Sequence, residues 1–249
     1  MTMIEARRSG DVRILTLTAG RVNALDVELL EELARSVNEL AHSGAGPLVI
    51  TGAGRVFSAG VDLNRVVDGG ADYTDRLVPA LSAAFEAVFA YQGPTVAAIN
   101  GAAIAGGCVL ACACDRRLIG PDAQIGATEV RVGVPFPVAA LEVLRYACGR
   151  HAEDALLGGR IYRGADAISA GFAHRVVAED LLEAAVAEAA DLGAIPAEAY
   201  RHTKAQLREP TMARLRARGV TDDEVRRLWG AEHTQRLLGD YVARMRHKG

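Results

Sequence analysis

The sequence predicts an α/β core followed by a helical extension, and three observations carry that prediction. Short apolar segments rich in β-branched residues alternate with amphipathic helical segments through the first three quarters of the chain. Two of the apolar segments run directly into glycine-punctuated loops. From about residue 195 the strand signals stop, and charged, amphipathic helical segments take over. The 249 residues therefore divide into a core over 1–194 and a helical region over 195–249.

Each element follows from its pattern. VRILTLT (12–18) reads as a strand. Asp26 can cap the helix that follows, where Leu29, Leu30, Leu33, Val37 and Leu40 share one face. PLVIT (47–51) and PTVAAI (94–99) are apolar throughout, as strands buried on both faces are. GAGRVFSAG follows the first of them and INGAAIAGG the second, the latter leading into a helix. A helix is predicted over 75–92, a strand over 115–120 and a helix over 137–149 ended by Gly149. HAEDALLGG and ADAISAG are short glycine-stopped helices. HRVV (174–177) is a strand before the helix EDLLEAAVAEAADLG. The tail predicts helices over AEAYRHTKAQLRE, TMARLRARG and DDEVRRLWGAEHTQRLLGDYVARMRHK. The loop between Asn64 and Asp75, carrying Gly69 and Gly70, is the expected mobile lid.

Composition excludes several function classes. The net charge is −3, and the arginines of the C-terminal region are interleaved with acids, so a nucleic-acid partner is not expected. The uncharged run from Gln92 to Cys114 contains Pro94, Asn100 and glycines, and lacks the bulk of a spanning helix, so no membrane partner is expected either. The N-terminus has no apolar signal core, and a cytoplasmic location is expected. Cys108, Cys112, Cys114 and Cys148 read as reduced core thiols. Their spacing, with no nearby His, does not predict a metal site.

The glycine loops hold the chemistry. Gly101-x4-Gly106 begins like a phosphate loop, but Gly107 and Cys108 replace the required Lys and Ser/Thr. Neither loop fits the dinucleotide fingerprint. Ser58-Ala59-Gly60 and Ala105-Gly106-Gly107 carry almost no side chain, so a ligand can lie against their backbone. If the loops face each other, two N–H groups can converge on one oxygen and stabilise charge developing there. Spacing alone balances that reading evenly against tight helix–sheet packing.

NALDVELLEEL, VITGAGRVFSAGVDL and TVAAINGAAIAGGCVLACACDRRL together resemble the crotonase superfamily, the enoyl-CoA hydratase/isomerase family, over at least residues 10–180. The resemblance implies a crotonase-like spiral of ββα turns, with a C-terminal helical region that supports trimers or hexamers. It implies an acyl-CoA thioester substrate, with coenzyme A arriving as part of that substrate and no separate cofactor. By position, the oxyanion donors are the N–H groups of Val61 and Gly106. Asn23, Ala24 and Leu25, with Ala59, Gly60, Asp62 and Leu63, fall where the family holds the coenzyme arm.

The acids bear on the reaction. Family hydratases use two glutamates; here the first position is Val109 and the second matches Glu129. One carboxylate can still move a proton from C2 to C4 of a 3-enoyl thioester, which is isomerisation to the 2-enoyl thioester. An apolar Val109 would keep water from the intermediate. Phe136 and Pro137 add bulk where the family is often glycine-rich, and are expected to bound the acyl pocket. A hydratase with an atypical site, a non-catalytic acyl-CoA-binding protein, and serine hydrolysis through Ser58 are the alternatives. Asp62 is expected to order its loop, and Asp115 to pair with Arg116 or Arg117 or to cap the turn.

Overall fold

The computed structural model describes residues 2–246. Strands β1 (Ile4–Ser9) and β2 (Val12–Leu17) form an antiparallel hairpin. From β2 onward the large sheet is parallel: β2 pairs with β3 (Leu48–Gly52), then come β5 (Thr95–Ile99), β7 (Arg116–Ile119) and β10 (Arg175–Val176). The second sheet contains β4 (Val56–Ser58), β6 (Ala102–Ile104), β8 (Gln124–Gly126) and β9 (Tyr162–Arg163).

The chain visits the two sheets alternately. β3 enters the large sheet, β4 the small one, and α2 (Leu63–Ala90) follows. β5, β6 and α3 (Gly106–Ala113) repeat the turn. β7 and β8 begin a third turn, completed by a short 3-10 turn (Glu129–Val132) and α4 (Val138–Cys148). This is the ββα spiral that the resemblance implies. The small-sheet strands are three residues or fewer, too short to carry a readable alternation in sequence.

The centre of the large sheet is buried on both faces, which is why β3 and β5 are largely apolar, whereas edge strand β1 is mostly exposed. Alternate residues Val12, Ile14, Val49, Val96, Ala98 and Leu118 pack on α7 (Leu181–Gly193). Their neighbours Leu48, Ile50, Ala97, Ile99 and Ile119 face the main core, shared with α1 (Val27–His42), α2 and α3. Each such Leu or Ile side chain contributes roughly 1.5–3 kcal/mol by leaving water. Asp26 caps α1 as the sequence predicts, its Oδ1 accepting from the Leu29 N–H at 2.8 Å. All four cysteines are buried free thiols.

Three expectations change. Residues 64–75 are not a loop: they form the first part of α2, opened by Asp62, whose carboxylate accepts from the N–H groups of Asn64 and Arg65. Gly69 and Gly70 make a kink instead, with Gly70 at φ 55 and a Cβ at Gly69 meeting that of Tyr73 at 2.5 Å. The tail divides differently. α8 (Ala197–Arg216) runs through Pro210 as one helix, whereas α9 (Gly219–Gly230) and α10 (Glu232–Arg246) are separated at Ala231. The end of the last expected helix, His247–Lys248, lies outside the described residues.

Asp115 does not pair with Arg116 or Arg117. It accepts from Lys204 Nζ at 2.7 Å, Arg208 at 2.6 Å, Tyr200 Oη at 3.0 Å, and the N–H and hydroxyl of Thr95. Arg117 instead donates to the carbonyls of Phe172, Cys114 and Gly171, and Arg116 pairs with Glu188. α8 brings its cations to Asp115 from far along the chain, a proximity local spacing cannot reveal. α9 and α10 pack back on α2. Among the described residues no helix is long and apolar enough to cross a membrane.

Candidate active site

The two glycine loops meet. Residues Asn23–Leu25 form the floor beneath the first of them. Asn23 is fully buried at φ 49, and its amide donates to the carbonyls of Val56 at 2.9 Å and Phe57 at 3.3 Å. Leu25 N–H donates to Gly60 O at 2.8 Å, and Leu25 O accepts from Asp62 N–H at 3.0 Å. This parallel bridge uses the groups on either side of Val61 and turns the Val61 N–H away from Leu25.

Gly60 sits at φ +85, and a Cβ there would lie 2.6 Å from Ile104 O and 3.3 Å from Gly106 N. The Ala59–Val61 turn therefore lies directly against Ile104–Gly106, a contact only glycine permits. Ala105, at φ 50 and ψ −122, swings the chain into α3 and is held by its N–H bond to Gly126 O. Gly106 opens the helix, where N–H groups have no intrahelical acceptor. Among the described residues, neither the Val61 nor the Gly106 N–H donates to another group. Ser58 Oγ donates to Asn23 O at 2.7 Å and accepts from Gly60 N–H. That hydroxyl braces the turn and is not set beside a histidine, so serine hydrolysis has no support.

A cavity of about 450 Å³ opens beside these loops. Ala24, Ala59, Val61, Asp62, Leu63, Gly106 and Glu129 line it. Asn23, Leu25, Gly60, Val109 and Phe136 do not. Asn23, Leu25 and Gly60 support the lining backbone from behind. Val109 is 0% exposed in the core, one turn into α3. Phe136 is half-buried against the core, and its neighbour Pro137, at the head of α4, reaches the cavity in its place.

Glu129 is 7% exposed, and its Oε2 is buried with no hydrogen-bond partner. Burial pushes its pKa up to about 8, because the charged form loses water without gaining a cation. Asp62 also lines the cavity, but its Oδ1 caps α2 at the mouth.

Other lining residues escaped the sequence reading. Leu81 and Phe85 come from α2, Val132 and Val134 from the segment after Glu129, Trp229 from α9, and Tyr241, Val242 and Met245 from α10. The one available signal was the chain's single tryptophan in an otherwise charged helix. Among the described residues no group of three His, Cys, Asp or Glu side chains could hold a metal ion.

The model of the Enoyl-CoA hydratase/isomerase family matches residues 7–235. The chain belongs to the enoyl-CoA hydratase/isomerase family. A Thermus thermophilus relative with the provisional name of an enoyl-CoA hydratase is 37% identical over 160 residues, which is 63% of this family member and 63% of that chain. A human relative, mitochondrial enoyl-CoA delta isomerase 1, is 31% identical over 219 residues, 86% of this family member and 72% of that chain. The crystal structure of human mitochondrial delta3-delta2-enoyl-CoA isomerase superposes with a TM-score of 0.93 at 28% identity, covering 99% of both chains. Hydratase and isomerase names both occur among relatives of this family member.

Proposed function

We propose that this protein isomerises 3-enoyl-CoA to 2-enoyl-CoA thioesters, with Glu129 as the sole proton carrier. One observation carries the reading: the cavity presents one buried carboxyl, Glu129, whose Oε2 has no hydrogen-bond partner, in largely apolar surroundings. Hydration is easiest with two carboxyl groups holding the water, and α3 supplies only apolar and thiol side chains behind Gly106.

Each step follows from the geometry. The thioester oxygen accepts from the Val61 and Gly106 N–H groups. The Glu129 carboxylate takes a proton from C2, and the C2–H electron pair moves into the conjugated system, placing negative charge on the thioester oxygen. The two N–H groups stabilise that charge in a site with little competing water. The protonated Glu129 then returns its proton to C4, the C3–C4 double bond is lost and the C2–C3 double bond forms. The coenzyme arm lies along Ala24 and Ala59–Leu63. Coenzyme A is part of the substrate, and the reaction balances without a further cofactor.

The test is to supply 3-hexenoyl-CoA to the purified protein and follow absorbance of the conjugated product. Conversion is expected, and Glu129→Gln should lower it by roughly 10²–10⁴-fold. No conversion above background, with Glu129→Gln behaving identically, overturns the proposal. Tight acyl-CoA binding with no turnover of enoyl, dienoyl or 3-hydroxyacyl thioesters would indicate a binding protein instead.

A further inference from the structure

The cavity has a direction. Its mouth is exposed, at Val22, Asn64 and Met245. Past Glu129 its walls are almost completely buried: Leu81, Phe85, Val134, Ala140 and Trp229 are each 3% exposed or less. A thioester seated on the Val61 and Gly106 N–H groups must point its coenzyme arm to the mouth and its acyl tail to this apolar end.

Trp229 is the largest side chain of that buried wall, and it is held in place. Its indole Nε1 donates to Pro135 O at 2.8 Å, tying α9 to the segment that follows Glu129. The next residue, Gly230, lies against α2, where a Cβ would sit 3.1 Å from that of Ala71. The ring is thus anchored at its polar edge and through its backbone, and cannot swing aside without losing that hydrogen bond. The Gln235 side chain donates to Trp229 O at 2.8 Å, holding the start of α10 to the same point.

The available space sets a length. The cavity is about 450 Å³ in all, its open mouth included, so the buried apolar end is only a fraction of that space.

We propose that Trp229 is the chain-length determinant, and that it restricts the enzyme to short- and medium-chain enoyl thioesters. This rests on the isomerase reading given above. The test measures kcat/KM for 3-hexenoyl-, 3-octenoyl-, 3-dodecenoyl- and 3-hexadecenoyl-CoA with the wild-type protein, Trp229→Ala and Trp229→Phe. The wild type should fall by about tenfold or more between octenoyl and dodecenoyl, since a pocket rejects excess methylenes by steric clash. The dodecenoyl-to-hexenoyl ratio should rise about tenfold in Trp229→Ala and by less in Trp229→Phe. That ratio is independent of how much activity each variant loses overall. Undiminished wild-type turnover of the two long substrates overturns the proposal even if Trp229→Ala does not fold. An unchanged ratio in folded variants overturns it as well. No turnover of any chain length by wild type overturns the isomerase reading itself.

Discussion

Glu129 is costly to the fold in its charged form. A carboxyl buried without a partner binds its proton more tightly in the folded state than in the unfolded chain. Between its ordinary value of 4.5 and its raised value of about 8, the folded protein holds a proton that the unfolded chain has released. Stability from this group therefore falls as pH rises through that window, and the full penalty is present above it. Glu129→Gln removes the charge and leaves the shape. We expect the variant to have a higher Tm than wild type at pH 8.5, and a much smaller difference at pH 4, checked by calorimetry at both values. Activity has the opposite dependence: kcat/KM for isomerisation should rise with pH through about 8, as the base form accumulates in the empty site. A residue that destabilises the fold where it is most active has its rationale in chemistry, not packing.

α2 shows how an element can be misread. Two adjacent glycines after a short polar stretch look like a flexible loop. What counts in the structure is the cap before them and the packing after them. Asp62 satisfies the N–H groups of Asn64 and Arg65, and buried Val66 and Tyr73 flank the kink. Asp62→Ala should lower the unfolding free energy by about 1 kcal/mol in urea denaturation, and Asp62→Asn should recover most of it. No recovery with Asn would mean the charge, not the cap, is the contribution. The same scale explains what the sequence revealed. Long elements with a full apolar face, such as α1 and β3, were legible because periodicity alone defines them. The short strands β4, β6 and β8 were not, because their pairing depends on partners from other turns of the spiral. The facing glycine loops could be suspected from their composition. Glu129 was placed by family resemblance, since an acid in a loop reads as exposed. Trp229, Tyr241 and Met245 could not be placed at all, because their position depends on how α9 and α10 return to the core.

Across the whole molecule, the helical tail is fastened to the core by a buried charge cluster. Asp115, just before β7, receives Lys204 and Arg208 from α8, and Arg208 also donates to Phe89 O and stacks 4.1 Å over the Phe89 ring. Burial alone would raise the Asp115 pKa, but the two cations outweigh it and hold the carboxyl below its ordinary range. Asp115→Asn would strand two buried cations, at a cost of roughly 3–5 kcal/mol. The expected readout is a Tm lower by roughly 10 °C at neutral pH, since each kcal/mol shifts a protein of this size by about 2–4 °C. The gap should narrow as acid protonates Asp115 in the wild type, because a depressed carboxyl pKa gives stability that is lost as pH falls. A pH-independent difference would assign the loss to the remaining hydrogen bonds.

The order of residues around the cavity also orders its assembly. The turn bearing Gly60 and the helix opening at Gly106 precede Glu129 in the chain, while Trp229 and Tyr241 come long after it. Domains form as the chain emerges N-terminus first. A nascent chain would thus possess the oxygen-binding turn and the base while the end wall is still unmade. When α9 and α10 dock, α10 packs on the short turn that carries Glu129 and α9 adds Trp229 to the cavity wall, so part of the base's enclosure is made by chain synthesised after it.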